Sequence, residues 1–227
     1  NAMESDPNVS VMGEDIAGGA GRPEKQDAWG GPMKLTKGLI GQFGAERVRD
    51  TPISEAGFVG AGVGAAASGL RPIVDLMFVG FFGVCADQIV NNAAKIHYMF
   101  GGKVKVPLTI MTAIGAGTGS AAQHSETLYS IFVHFPGLKC VVPSNPYNAK
   151  GLFTAAIQDD DPVIIFNNRQ LMGTNFDVVV PEESYTVEIG KSNIAREGED
   201  VTLIGIGYTS YLCLQAAEDL TTLGYSA

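Results

Sequence analysis

Read for hydrophobic and polar positions, the chain alternates short apolar, β-branched runs with longer segments that are amphipathic or rich in small residues. The apolar runs predict strands at Val9–Met12, Arg47–Ile53, Pro72–Met77, Val106–Met111, Lys139–Pro143 and Pro162–Phe166. Between them, helices are expected at Thr36–Phe43, Gly57–Ser68, Phe82–Tyr98, Ser125–His134 and Pro146–Gln158. Strands alternating with helices imply βαβ units, so the expected fold class is α/β, a mainly parallel sheet with helices on both faces. Pro162-Val-Ile-Ile-Phe166 is apolar at every position, as a strand covered on both faces must be.

From Thr174 to Asp200 the pattern gives way to polar, Pro- and Glu-containing sequence that reads as a linker. Val201–Gly207 and Tyr211–Leu223 then read as one more strand and helix. A lone βα unit cannot cover its own sheet. The expected organisation is a tag and N-terminal remnant over 1–8, a main domain over 9–173 and a linker over 174–200. Residues 201–227 read as the start of a second α/β domain, cut short. Asn1 and Ala2, ahead of Met3, read as an expression scar.

Composition narrows the class. With 227 residues, 45% apolar and only 17% charged, the chain has the profile of a soluble, well-packed α/β enzyme. A net charge of −9 leaves no basic stripe to neutralise phosphates, which excludes a nucleic-acid partner. Cys85, Cys140 and Cys213 stand singly in apolar surroundings and read as reduced thiols, which implies a cytoplasmic location. No apolar run reaches the length of a membrane span.

Two glycine-rich stretches resemble dinucleotide fingerprints. Gly60-Ala-Gly-Val-Gly64 lies inside helix-like sequence rather than just after a strand, so close helix packing is favoured over nucleotide binding. Gly115-Ala-Gly-Thr-Gly119 precedes Gln123-His124 and reads as a loop lining a site. Glu55 stands between a strand and a glycine- and alanine-rich helix. Spacing alone favours a helix-end charge there over a proton-transfer carboxylate. His124 has polar neighbours, whereas His97 and His134 lie in apolar helical contexts and read as structural. Phe78, Phe81 and Phe82 read as core, with stacking on a flat ligand as the lesser reading.

The motifs together resemble the beta subunits of thiamine-diphosphate-dependent acetoin and 2-oxo acid dehydrogenases. The resemblance rests on Gly13-Glu-Asp15, Asp50-Thr-Pro-Ile-Ser-Glu-Ala-Gly57, Gly69-Leu-Arg-Pro72 and Met77-Phe-Val-Gly-Phe81. Asp87-Gln-Ile-Val-Asn91, Ala93-Ala-Lys95, Tyr98-Met-Phe-Gly-Gly102, Ala122-Gln-His-Ser125 and Pro136-Gly-Leu-Lys139 follow in the family's order. The early loop Met12–Pro23, continued in Asp27–Gly31, is similar to the acetoin branch, as is Leu76–Cys85.

This resemblance implies a transketolase-like pyrimidine-binding domain and assigns roles. Glu55 would hydrogen-bond the aminopyrimidine nitrogen of thiamine diphosphate and share a proton there. Phe81 would stack on the pyrimidine, with Met77 on the same stretch, and His124 would assist at the thiazolium end. A structural potassium ion would sit on backbone carbonyls of Leu108, Ala156, Ile157, Asp159 and Asp161. The magnesium-diphosphate motif Gly-Asp-Gly…Asn does not occur here and belongs to an alpha subunit. The chain would therefore act in a heterotetramer of two alpha and two beta subunits. Acetoin would be cleaved and its acetyl unit passed to lipoamide on a partner acyltransferase. The rival readings are a pyruvate or branched-chain 2-oxo acid dehydrogenase beta subunit and a non-catalytic assembly partner.

Three positions depart from the family pattern: Gly80 where the acetoin branch often has aspartate, Met111 where many relatives have arginine, and Asn167 where they have glutamate. The last two suggest, as a hypothesis, a charge pair removed as a unit.

Overall fold

In the computed structural model, residues 2–18, 30–31 and 33–227 are described. The expected likeness of the early loop to the acetoin branch falls largely on residues 19–29 and lies outside them.

Six strands form one sheet: β1 Val9–Glu14, β2 Val48–Thr51, β3 Arg71–Phe78, β4 Thr109–Ile114, β5 Lys139–Val141 and β6 Val163–Asn168. Their order is β2-β1-β3-β4-β6-β5, and every neighbouring pair is parallel. The helices are α1 Ala2–Ser5, α2 Leu39–Phe43, α3 Glu55–Ala67, α4 Phe82–Asp87, α5 Ile96–Met99, α6 Tyr129–Phe132, α7 Pro146–Gln158, α8 Arg169–Met172 and α9 Tyr208–Thr222. Parallel strands need crossovers, and the crossover helices cover both faces, as the continuous apolar runs required.

The two faces divide the core. On one, Val74, Leu76, Ile110, Ile164 and Phe166 pack against Phe58, Val59 and Val63 of α3 and Phe132 of α6. On the other, Val9, Val11, Ile73 and Met111 meet Met3 and Ile40, and Val163 and Ile165 meet Leu152 and Ala156 of α7. Met3 is buried, so the expected N-terminal remnant includes a core residue.

The stretch Gly60–Gly64 is helical, as packing rather than nucleotide binding demanded. A Cβ on Gly62 would lie 2.6 Å from Val74 Cγ2, so glycine lets α3 lie directly on β3. The expected single helix over 82–98 is divided. Cys85 leaves helical geometry (φ −118°, ψ 15°), a π-turn occupies Gln88–Ala93, and α5 follows. The expected strand at Val201–Gly207 does not form. Among the described residues it has no strand to pair with, and Ile204 is 86% exposed. The helix after it, α9, does form.

Candidate active site

Parallel topology sends the carboxyl ends of the strands to one edge, where sites in open α/β sheets are built. Glu55 opens α3 just after β2 and is buried, at 7% exposed. Its carboxylate lies close enough to Glu14, the last residue of β1, and to Cys85 of α4 to act on both. Burial first, then Asp15 and Glu55, hold the Glu14 carboxyl above its ordinary range. Burial first, then Glu55, push the Cys85 thiol up to about 12. Glu14 therefore joins Glu55 as a second acidic group of the site. The motif Gly13-Glu-Asp15 at a predicted strand end was the signal for it, and no role had been assigned.

Cys85 links this acidic pair to an aromatic cluster, its Sγ donating to the Phe81 carbonyl at 3.7 Å. The rings of Phe78, Phe81 and His124 pack edge to face, with centroids 4.3 Å apart for Phe78–His124, 5.6 Å for Phe81–His124 and 5.9 Å for Phe78–Phe81. The fold thus brings together Phe81 and His124, which lie 43 positions apart in the chain. Arg169 holds this arrangement from beneath. Its guanidinium lies 5.2 Å over Phe78, and Nη1 donates to Ser120 Oγ at 2.7 Å and to the His124 carbonyl at 3.5 Å. Neither neighbour of Arg169 is idle. Asn168 caps α8 by accepting from the Gln170 amide at 3.0 Å, and its side chain lies against Gly115. Sequence reasoning missed Arg169, because its role depends on a loop brought over from another strand.

Met77 is placed differently. Its φ of 63° is left-handed, and its amide donates to Asp75 Oδ1 at 2.9 Å. This bulge shifts the β3–β4 register between Asp75 and Phe78. Met77 borders a closely packed gap, without room for a water molecule, together with Asp75, Met111, Asn167 and Met172. Asp75, unremarked in the sequence, is buried and raised to about 6 by desolvation, offset in part by the Met77 amide. His97 and His134 are not core residues: both are exposed.

The expected potassium ligands already have partners. The Leu108 carbonyl accepts from the Val163 amide at 2.9 Å and the Ala156 carbonyl from the Asp159 amide at 3.3 Å. The carbonyls of Ile157 and Asp159 both accept from Arg71 Nη1 at 3.0 Å. The Asp161 side chain, as distinct from its carbonyl, pairs with Lys139, with Oδ2 3.0 Å from its Nζ. Arg71 thus hydrogen-bonds two of the five carbonyls that the resemblance assigns to a potassium ion.

Thiamine diphosphate can be tested against the same geometry. A buried carboxylate, a neighbouring aromatic face and a histidine across from it suit the apolar, hydrogen-bonding pyrimidine end of such a cofactor. Among the described residues no group of three or more His, Cys, Asp or Glu is placed to hold a metal ion.

Comparison with known proteins bears on the family and the fold. The transketolase pyrimidine-binding domain family matches residues 1–174, and the transketolase C-terminal domain family matches residues 190–227. The chain is 53% identical over 228 residues to the acetoin:2,6-dichlorophenolindophenol oxidoreductase subunit beta of Bacillus subtilis, covering 100% of this chain and 66% of that protein. It is 49% identical to the subunit of the same name from Cupriavidus necator, covering 99% of this chain and 66% of that protein. It is 42% identical to the 2-oxoisovalerate dehydrogenase subunit beta of Bacillus subtilis, covering 99% and 65% respectively. The chain therefore spans just under two thirds of the length of these relatives. A solved structure described as a split-gene transketolase, inactive beta4 tetramer, superposes with a TM-score of 0.75 at 21% identity, covering 99% of this chain and 65% of that one. With a family match over 174 of its 227 residues and this parallel sheet beneath it, the chain belongs to the transketolase pyrimidine-binding domain family.

Proposed function

We propose that this chain is the pyrimidine-binding part of the beta subunit of a thiamine-diphosphate-dependent acetoin dehydrogenase. The observation that carries the reading is Glu55, a buried carboxylate opening α3 at the carboxyl edge of the sheet, joined through Cys85 to the Phe81–His124 cluster. The similarity to two acetoin oxidoreductase beta subunits, ahead of the 2-oxo acid dehydrogenase subunit, supports the choice of substrate.

Thiamine diphosphate, when bound, supplies the carbanion chemistry. Glu55 holds a proton on the pyrimidine ring nitrogen, sheltered from water by its burial. Phe81 offers an apolar face to that ring, and His124, fixed by Phe78 and Arg169, stands ready to move a proton at the reacting end. An alpha subunit holds magnesium and the diphosphate and completes the site in a heterotetramer. Acetaldehyde leaves, and the acetyl unit passes to a lipoyl group on an acyltransferase. The domain division follows the same reading: pyrimidine domain over 9–173, linker over 174–200, and the opening of the C-terminal domain over 201–227.

The test is turnover of acetoin against pyruvate and branched-chain 2-oxo acids by the beta subunit assembled with its alpha subunit. Acetoin should be preferred; a preference for any 2-oxo acid would replace it as substrate.

A further inference from the structure

The segment that leaves β4 and leads to α6 carries His124, and three consecutive residues at the junction of β6 and α8 support it. Asn168 lies against Gly115, where a Cβ would come 3.1 Å from its Oδ1, and Gln170 against Gly117, where a Cβ would come 2.8 Å from its Nε2. Arg169 reaches farther along: Nη1 donates to Ser120 Oγ at 2.7 Å and to the His124 carbonyl at 3.5 Å. Its guanidinium lies 5.2 Å over the Phe78 ring, which meets the His124 ring at 4.3 Å. Among the described residues every side-chain interaction of Arg169 goes to this segment or to the ring beside it, and none to a carboxylate.

The two acceptors of Arg169 bracket Ala121, whose φ of 61° and ψ of −169° belong to a region that only glycine enters freely. A side chain there is strained, and the strain persists only where neighbouring groups enforce it. Ser125 Oγ enforces it from one side, donating to the Ala121 carbonyl at 2.6 Å across the 3₁₀ turn Ala122–His124. Arg169 enforces it from the other by joining Ser120 to His124. The turn sets the direction in which the imidazole leaves the backbone.

We propose that Arg169 is the positioning residue of His124. It locks the strained turn at Ala121, and through that turn and Phe78 it places the imidazole against Phe81. The inference rests on the function proposed above, which gives His124 its task at the reacting end. Without the clamp Ala121 relaxes to an ordinary conformation and the turn carries His124 out of place. A misplacement of about 1 Å is enough to cost about a hundredfold in rate.

The test uses the beta subunit assembled with its alpha subunit. Arg169→Ala should lower kcat for acetoin between about tenfold and about a hundredfold, with KM within about twofold and thiamine diphosphate affinity unchanged. Arg169→Lys, which keeps a charged donor at this place, should recover most of kcat. Adding Ala121→Gly to Arg169→Ala should recover at least about fivefold, because glycine adopts the same backbone without strain. A parent-like kcat in Arg169→Ala, a loss that falls on KM or on cofactor affinity, or no recovery on adding Ala121→Gly would overturn the role. Hydrogen exchange in the same complexes reads the turn independently of turnover. Amides of residues 116–125 should exchange at least about tenfold faster in Arg169→Ala, with the strands unchanged. Unchanged exchange in that segment would overturn the clamp. Lost protection across the whole sheet would overturn it too, since Arg169 would then support the fold rather than the turn. A parent complex inert toward acetoin would count against the proposed function instead, while the exchange pattern would still decide whether Arg169 holds the turn.

Discussion

Asp75 shows how one side chain can set the pH response of the fold. It is a buried acid, 7% exposed, whose Oδ1 accepts from the Met77 amide, and desolvation raises it from an ordinary 3.8 to about 6. A folded-state acid with a raised pKa holds its proton where the unfolded chain has released it. Its contribution is therefore present at low pH and is lost as pH climbs through that window. Stability should fall by about 3 kcal/mol between pH 4 and pH 6 from this residue. Asp75→Asn should flatten that part of a denaturation profile and raise stability at pH 7. An unchanged profile would show that Asp75 remains ionised when folded. Met111 lies directly opposite Asp75 in the β3–β4 register, and Asn167 borders the same gap from β6. The suggested loss of an arginine and a glutamate as a unit thus falls in one small space, with a second acid, Asp75, left behind. Met111→Arg and Asn167→Glu together should be less destabilising than the sum of the singles, by about 1–3 kcal/mol in a double-mutant cycle. Strict additivity would mean that the two positions never shared a charge pair.

At the scale of elements, α3, α4 and the 3₁₀ turn Val79–Phe81 carry the site. Gly62 lets α3 close on β3, so Gly62→Leu should lower unfolding free energy by about 3 kcal/mol, with Glu55 displaced along with the helix. A stable Gly62→Leu protein would mean that α3 sits farther from the sheet. Much of this level was legible in the sequence. The strand runs gave all six strands of the sheet within a few residues, and α7 occupies the expected Pro146–Gln158 because Asn145 caps it and Pro146 fits its first turn. Boundaries moved where backbone chemistry intervened: β4 begins at Thr109 rather than Val106, beyond Pro107, which has no N–H to give the ladder. Phe81 and His124 were placed by motif. What no local pattern could show was their contact or the Arg169 beneath them, because each depends on residues from separate strands meeting at one edge.

Across the whole molecule the two edges of the sheet do different work. The amino edge is tied by charge: Arg71 to Asp160 at 2.8 Å, Lys105 to the same Asp160, and Lys139 to Asp159 at 2.8 Å and Asp161 at 3.0 Å. Arg71 also holds the carbonyls that had been expected to hold potassium. Exchanging potassium for sodium at constant ionic strength tests that ion: a bound potassium gives a potassium-specific rise of several degrees in melting temperature, and an unchanged midpoint means that Arg71 alone holds these carbonyls. The carboxyl edge gathers Glu14, Glu55, Phe81 and His124 into an acidic and aromatic half-site. No helix among the described residues is long and apolar enough to cross a membrane. The central claim is that Glu55 holds the proton on which the cofactor's activation depends. Its most direct test is acetoin turnover by Glu55→Gln in the complex assembled with the alpha subunit, with thiamine diphosphate binding measured alongside. Turnover should fall by at least about a hundredfold while the cofactor still binds. Turnover matching the parent would contradict the role given to Glu55 and, with it, the reading of this edge as the catalytic one.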